Sequence, residues 1–279
     1  LINLKNNFNP LEIEEAVSYL HNYFNEKPGK AVILGTGLGS VMEGAKTIKS
    51  LPYQEIPFSP VSTVVSHQGK ISLAQINDEL FWILAGRFHY YEGYTASQSA
   101  FMIHVLAGLG IKNLYITNAA GGVNPHFKEG ELVVIEDHIN LFPDHPLRGK
   151  NDESFGPRFP DMSVAYDPKM RLKILDISNE LGISMQKGVY VGLPGPSLET
   201  PAEYRMIHRM GGDLVGMSGV PEVLVARYYK MNVCMISVVS NVCFPKERIT
   251  ETTIEEVIQI VNNSVSDLGR VLLGVLGEK

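Results

Sequence analysis

Cysteine is scarce here, with two in 279 residues, Cys234 and Cys243, and both fall in or beside an apolar run without metal-ligand spacing. That excludes a disulfide framework and fits a reducing compartment. Basic charge is also short, with 24 Lys and Arg against 30 Asp and Glu, a net charge of −6 and a pI near 5.8. Such a balance has no electrostatic footprint for nucleic acid, and no run of like charges marks a tail. No apolar stretch reaches the ~18 residues of a membrane span. The polar start Leu1-Ile2-Asn3-Leu4-Lys5-Asn6-Asn7 lacks the basic-then-apolar order of a signal peptide, so the expectation is a cytoplasmic protein with no membrane partner. Internal repeats, low-complexity segments and a recognisable interdomain linker are missing too. The 44% hydrophobic content is enough for a large core in one α/β domain spanning 1–279.

What is present is a recurrence of β-branched and apolar runs at 31–34, 71–76, 80–85, 113–117, 131–135, 188–193 and 233–239. Helical patterns fall between them at 11–24, 96–109, 169–181, 204–210, 221–230 and 253–268, which is an α/β pattern. Asn9-Pro10, Asp167-Pro168 and Thr200-Pro201-Ala202-Glu203 are helix-start signals, the last a capping box with proline at the first helical position. Asn77-Asp78-Glu79 reads as a hairpin connection. The irregular segment 138–166, rich in Pro and Gly, is long enough to be functional.

The densest chemistry lies in Gly86-Arg87-Phe88-His89-Tyr90-Tyr91-Glu92-Gly93-Tyr94, directly after the strand-like run 80–85. Alternation along an extended chain aims Arg87 and His89 the same way, a natural grip for a small oxyanion at a strand's carboxyl end. Gly35-Thr36-Gly37-Leu38-Gly39-Ser40 follows another strand and exposes backbone N–H groups and a hydroxyl, either a phosphate turn or a tight connection without ligand. Its third fingerprint position is Ser40 and no acidic residue follows at the right distance, which argues against a dinucleotide-binding oxidoreductase. Asn118-Ala119-Ala120-Gly121-Gly122 ends a further strand with small residues that admit a ligand close to the backbone. Glu199 stands just before a capped helix and Asn241 just after an apolar strand. Together a carboxylate and an amide suit the polar edge of a heterocyclic base, although Glu199 also reads as a dipole-favoured surface residue and Asn241 as a turn former. His67 and Met217-Ser218 are weaker signals alone. Asp137-His138 with Asp144-His145 has metal-ligand residue types but no further ligand set.

In their order along the chain, Gly35-Thr36-Gly37-Leu38-Gly39, Gly86-Arg87-Phe88-His89, Tyr91-Glu92-Gly93-Tyr94, Thr117-Asn118-Ala119-Ala120-Gly121-Gly122, Gly195-Pro196-Ser197, Glu199-Thr200, Gly216-Met217-Ser218 and Pro221-Glu222 resemble the trimeric, 6-oxopurine-specific purine nucleoside phosphorylases. The resemblance covers nearly the whole chain. It implies a twisted mixed β-sheet, partly closed into a barrel and flanked by α-helices. It also implies reversible phosphorolysis of inosine- and guanosine-type nucleosides to free base and (deoxy)ribose 1-phosphate, with inorganic phosphate as co-substrate and no cofactor or metal.

Carried over by position, the phosphate site is similar through Thr36, Arg87, His89, Asn118, Ala119 and Ser218. The ribose site is similar through Tyr91 and Met217, with His67 near phosphate and sugar. Phe159 resembles the aromatic residue that a neighbouring subunit of a homotrimer lends to the sugar pocket. Glu199, Val215, Met217 and Asn241, with Ala119 close by, resemble the base site, and His89, Glu199 and Asn241 carry the catalytic roles. Two positions depart from the family. Leu198 replaces a frequent Phe beside the base-binding glutamate, and Ile254 stands where a histidine near the ribose 5′-hydroxyl is expected. Ile254 lends some support to a methylthioadenosine phosphorylase, which Glu199 and Asn241 oppose. A catalytically silent nucleoside- or phosphate-binding protein requires a broken phosphate site, and none of its positions is broken.

Overall fold

The computed structural model describes residues 10–62 and 68–278. Among the described residues nine strands form one mixed sheet: β1 Lys30–Leu34, β2 Lys46–Pro52, β3 Lys70–Ile76, β4 Glu79–Ala85, β5 Asn113–Gly122, β6 Leu132–Asn140, β7 Met185–Gly192, β8 Leu214–Gly216 and β9 Asn232–Val242. Their order is β2-β3-β4-β1-β5-β8-β7-β6-β9, and a further β5–β9 pairing closes the last five into a barrel. The remaining strands extend from β5 as an open wing, so the partly closed mixed sheet expected from the resemblance is what the chain forms. Strands β4, β1, β5 and β9 run parallel, which brings their carboxyl ends to one side.

The core follows from alternation. Ala31 and Ile33 of β1 join one buried cluster while Val32 and Leu34 join another, so this strand is covered on both faces and reads as a continuous apolar run. Helices α1 Pro10–Tyr23, α3 Phe101–Gly108 and α6 Val220–Tyr228 contribute Leu20, Phe101 and Val223 to the first cluster. Helices α4 Pro168–Glu180 and α7 Ile254–Leu276 contribute Ile174, Val261, Leu268 and Leu272 to the second. The short α2 Ala96–Ser99 and the site-facing α5 Pro201–Arg209 complete the set. Capping explains the starts: the Asp167 carboxylate accepts from Met170 N at 2.8 Å, and Thr200 with Glu203 and Thr253 with Glu256 form reciprocal boxes. Each such cap is worth ~1 kcal/mol. Among the described residues no helix is long and apolar enough to cross a membrane.

The structure redraws several boundaries. The runs expected to stop at 117, 135 and 239 continue to Gly122, Asn140 and Val242 because barrel partners satisfy their backbone groups. Asn118 and Asn241 therefore lie within strands and not in turns, and the irregular segment begins at 141. The expected helix 96–109 breaks at Ala100, and the final helix runs on to Leu276. Sequence periodicity misses β2, a largely exposed polar strand, and β8, which has three residues.

Candidate active site

One cleft opens at the shared carboxyl end of the parallel strands, and it gathers Thr36, Arg87, His89, Tyr91, Asn118, Ala119, Leu198, Glu199, Val215, Met217, Ser218 and Asn241. Alternation after β4 is as expected: Arg87 and His89 enter the cleft, while Phe88 turns into the core against Tyr53 with ring centroids 5.4 Å apart. Phe159 is not part of this cleft. It is 87% exposed on the 141–167 segment, its ring 5.5 Å from the Arg158 guanidinium carbon. His67 lies outside the described residues.

At one end of the cleft Arg87 is held by three elements. Its Nη2 donates to Thr117 O at 2.7 Å, its Nη1 to Ser218 Oγ at 3.0 Å, and its Nε lies 3.0 Å from Glu222 Oε1 as an ion pair without hydrogen-bond alignment. Glu222 Oε2 in turn accepts from Gly219 N at 2.6 Å. Gly35 is obligatory here, since a Cβ would lie 2.8 Å from Thr117 O and 2.9 Å from Asn118 Cα. The amide oxygen of the buried Asn118 has no hydrogen-bond partner among the described residues. An unsatisfied acceptor beside a fixed guanidinium suits a ligand that carries both negative charge and a hydroxyl proton.

Beside it, His89 Nδ1 is 2.9 Å from Glu92 Oε1, which also accepts His89 N at 2.8 Å. The imidazole stacks on Tyr91 at 4.7 Å between centroids. Burial lowers its pKa more than the Glu92 hydrogen bond raises it, and Arg87 adds to the lowering. Near neutral pH it is therefore an uncharged, oriented ring.

At the other end, burial raises the Glu199 carboxyl above its ordinary value, opposed in part by a hydrogen bond from the Tyr204 hydroxyl. That hydroxyl also faces the Cys243 thiol, whose own pKa burial pushes up to about 12. Asn241 Nδ2 contacts Cys243 Sγ at 3.1 Å, and its Oδ1 accepts from Ser240 Oγ at 2.8 Å. Glu199 and Asn241 are thus the ends of one polar chain through Tyr204 and Cys243. Val215 and Met217 add apolar surface to the lining of the same cleft.

Sequence reasoning assigned no role to Tyr204, Ser240, Thr252 or Val257, which also line the cleft, or to Glu222 behind Arg87. Signals existed for two of them. Tyr204 lies five residues after Glu199, one helical turn into a capped helix, and Glu222 three after Gly219 at a helix start. The Asp137-His138 and Asp144-His145 pairs serve the scaffold: His138 Nδ1 meets Tyr166 OH at 3.1 Å and Asp144 accepts from Ala96 N at 3.0 Å. Among the described residues no three His, Cys, Asp or Glu gather as a metal site.

Residues 30–277 match the family model described as the phosphorylase superfamily. Purine nucleoside phosphorylase 1 of Geobacillus stearothermophilus is 46% identical over 233 residues, covering 84% of this chain and 85% of its own. Two solved structures share the fold over nearly the whole chain. Purine nucleoside phosphorylase of Schistosoma mansoni in complex with adenosine superposes with a TM-score of 0.89 at 33% identity, covering 97% of this chain and 98% of its own. A schistosoma purine nucleoside phosphorylase in complex with hypoxanthine gives a TM-score of 0.90 at 34% identity, again covering 97% and 98%. The chain belongs to the phosphorylase superfamily and, within it, to the purine nucleoside phosphorylases, which are pentosyltransferases.

Proposed function

We propose that the cleft phosphorolyses 6-oxopurine nucleosides, with phosphate at the Arg87 end and the base between Glu199 and Asn241. The observation that carries this reading is that one cleft is lined by two unlike polar groups with separate partners: the fixed Arg87 cation with hydroxyl and amide groups, and the Glu199 carboxylate with the Asn241 amide. Arg87, His89, Asn118, Ser218, Thr36 and the backbone at Ala119 hold the phosphate dianion beneath the sugar. Ser218 Oγ accepts from Arg87 Nη1 at 3.0 Å and its hydroxyl also bonds the Tyr190 phenol, so its position at this end is fixed.

A phosphate oxygen attacks C1′ as the C1′–N9 bond breaks, and the bonding pair leaves on the purine. The phosphate charge stabilises the oxocarbenium-like sugar at the transition state. Asn241 meets the charge that gathers at O6 and N7, and Glu199 accepts from N1–H. Adenine has no proton at N1 and turns an acceptor toward the half-buried Glu199 carboxylate, so it is discriminated against. Tyr91 and Met217 pack on the sugar. The exposed Phe159 serves a neighbouring copy in a homotrimer, for which its exposure outside the lining of this chain's own cleft is the support. His67 is assigned to the phosphate and sugar on sequence alone. No cofactor or metal enters this scheme, and a cytoplasmic location fits it.

The test is release of base from inosine, guanosine, adenosine and methylthioadenosine with and without phosphate. Phosphate-dependent cleavage of the first two is expected. Preferential cleavage of methylthioadenosine overturns the base assignment, and no cleavage at all overturns the enzymatic reading.

A further inference from the structure

The proposed roles leave one wall of the cleft unused. Thr252, Ile254 and Val257 line it, contributed by the approach to α7 and its first turn. Helix α7 packs against the phosphate turn, since a Cβ on Gly37 would lie 3.2 Å from Val261 Cγ1 and 3.7 Å from Ile258 Cα. This wall therefore adjoins the 35–39 turn of the same cleft.

Nucleoside geometry then says what the wall meets. With phosphate beneath C1′ and the base held at its polar edge, two ends of the substrate are committed. The group left to face the third wall is the one on C5′. Ile254 and Val257 offer it only hydrocarbon. The Thr252 hydroxyl donates to Thr250 O at 3.3 Å, so it has no proton left to donate to a 5′ oxygen. A 5′-hydroxyl gains little here for the water it loses, whereas a methyl or thioether removes apolar surface from water on both partners.

Resting on the phosphorolysis reading, we propose that this site takes 6-oxopurine nucleosides whose 5′ carbon lacks a hydroxyl, namely 5′-deoxy and 5′-alkylthio inosines, at least as well as inosine. The bonds exchanged are unchanged: C1′–O to phosphate forms, C1′–N9 breaks with its pair on the purine, and the products are hypoxanthine and the 5-substituted 5-deoxyribose 1-phosphate. The combination is specific. Glu199 selects the 6-oxo base while Ile254 selects the apolar sugar end, so the adenine counterpart of the same thioether is refused.

The experiment measures kcat/KM for inosine, 5′-deoxyinosine and 5′-methylthioinosine at saturating phosphate, in the native protein and in Ile254→His. Ile254 is 55% exposed, so the substitution leaves the fold intact. Expected is an analogue-to-inosine ratio of one or more for at least one analogue, shifted toward inosine about 2- to 12-fold by Ile254→His, the worth of one neutral hydrogen bond. Inosine preferred over both analogues, or a ratio that the substitution leaves unmoved, overturns the inference while phosphorolysis stands. Absence of phosphate-dependent hypoxanthine release from all three overturns the phosphorolysis reading and this inference with it.

Discussion

Arg87 and Glu222 form an ion pair with Nε 3.0 Å from Oε1 and only 4% and 5% of their side chains exposed. A guanidinium so deeply placed keeps its charge available to a ligand only because a second charge, from helix α6, balances it. Removing one partner of a buried pair leaves the other uncompensated, at a cost of about 3–5 kcal/mol. Glu222→Ala should lower urea-unfolding stability by that order and raise the KM for phosphate more than that for inosine. Unchanged stability and unchanged phosphate KM would show that Arg87 is held adequately by Thr117 and Ser218 alone.

Glu199 must be ionised to accept from N1–H, and burial raises its pKa. Activity on inosine should therefore decline as pH falls, with a midpoint above the ordinary glutamate value, as the carboxyl gains a proton and becomes a donor facing a donor. Glu199→Gln should abolish this acid limb and reduce kcat/KM by about 10- to 100-fold, the worth of a hydrogen bond to a charged group. A pH–rate profile at saturating phosphate for both proteins decides it.

Tyr204 joins Glu199 to Cys243, and Cys243 contacts Asn241. Tyr204→Phe keeps the buried ring and removes the hydroxyl that orients the carboxylate. The KM for inosine should rise about 2- to 12-fold with the phosphate KM unchanged. Equal changes in both constants would mean a general disturbance of the cleft.

Acid stability should depend on His104, whose burial lowers its pKa to about 4. The unfolded chain binds this proton near the ordinary value of 6.5, so the folded state's advantage is complete above that pH and declines as pH falls toward 4, by up to about 3 kcal/mol. The buried His89 and the half-buried His138 act in the same direction. His104→Asn should unfold in urea with a smaller difference between pH 7 and pH 5 than the native protein. An identical difference would remove His104 from the account.

Much of the site was legible because its chemistry is local. Arg87 and His89 are two apart after an apolar run, so strand geometry alone aims them together. The 35–39 turn and the capped start of α5 are likewise short-range patterns, and each took the position its residues imply. Asn118 and Asn241 were found as residues but misjudged as strand-end or turn positions, because the pairing of β5 with β9 that prolongs both strands joins segments more than a hundred residues apart.

By itself, the sequence determined the alternating α/β pattern, the two faces of each buried strand, the helix caps and the polar groups available to bind phosphate and a base. Hydrophobic period and capping act over a few residues, so no tertiary contact is needed to read them. Only the tertiary structure decided that β5 through β9 close on themselves, that Glu222 stands behind Arg87, that Tyr204 and Cys243 link Glu199 to Asn241, and that Ile254 and Val257 line the same cleft. Those relationships depend on side chains meeting from distant segments, and their energies come from burial and desolvation that exist only once the chain has closed around the cleft.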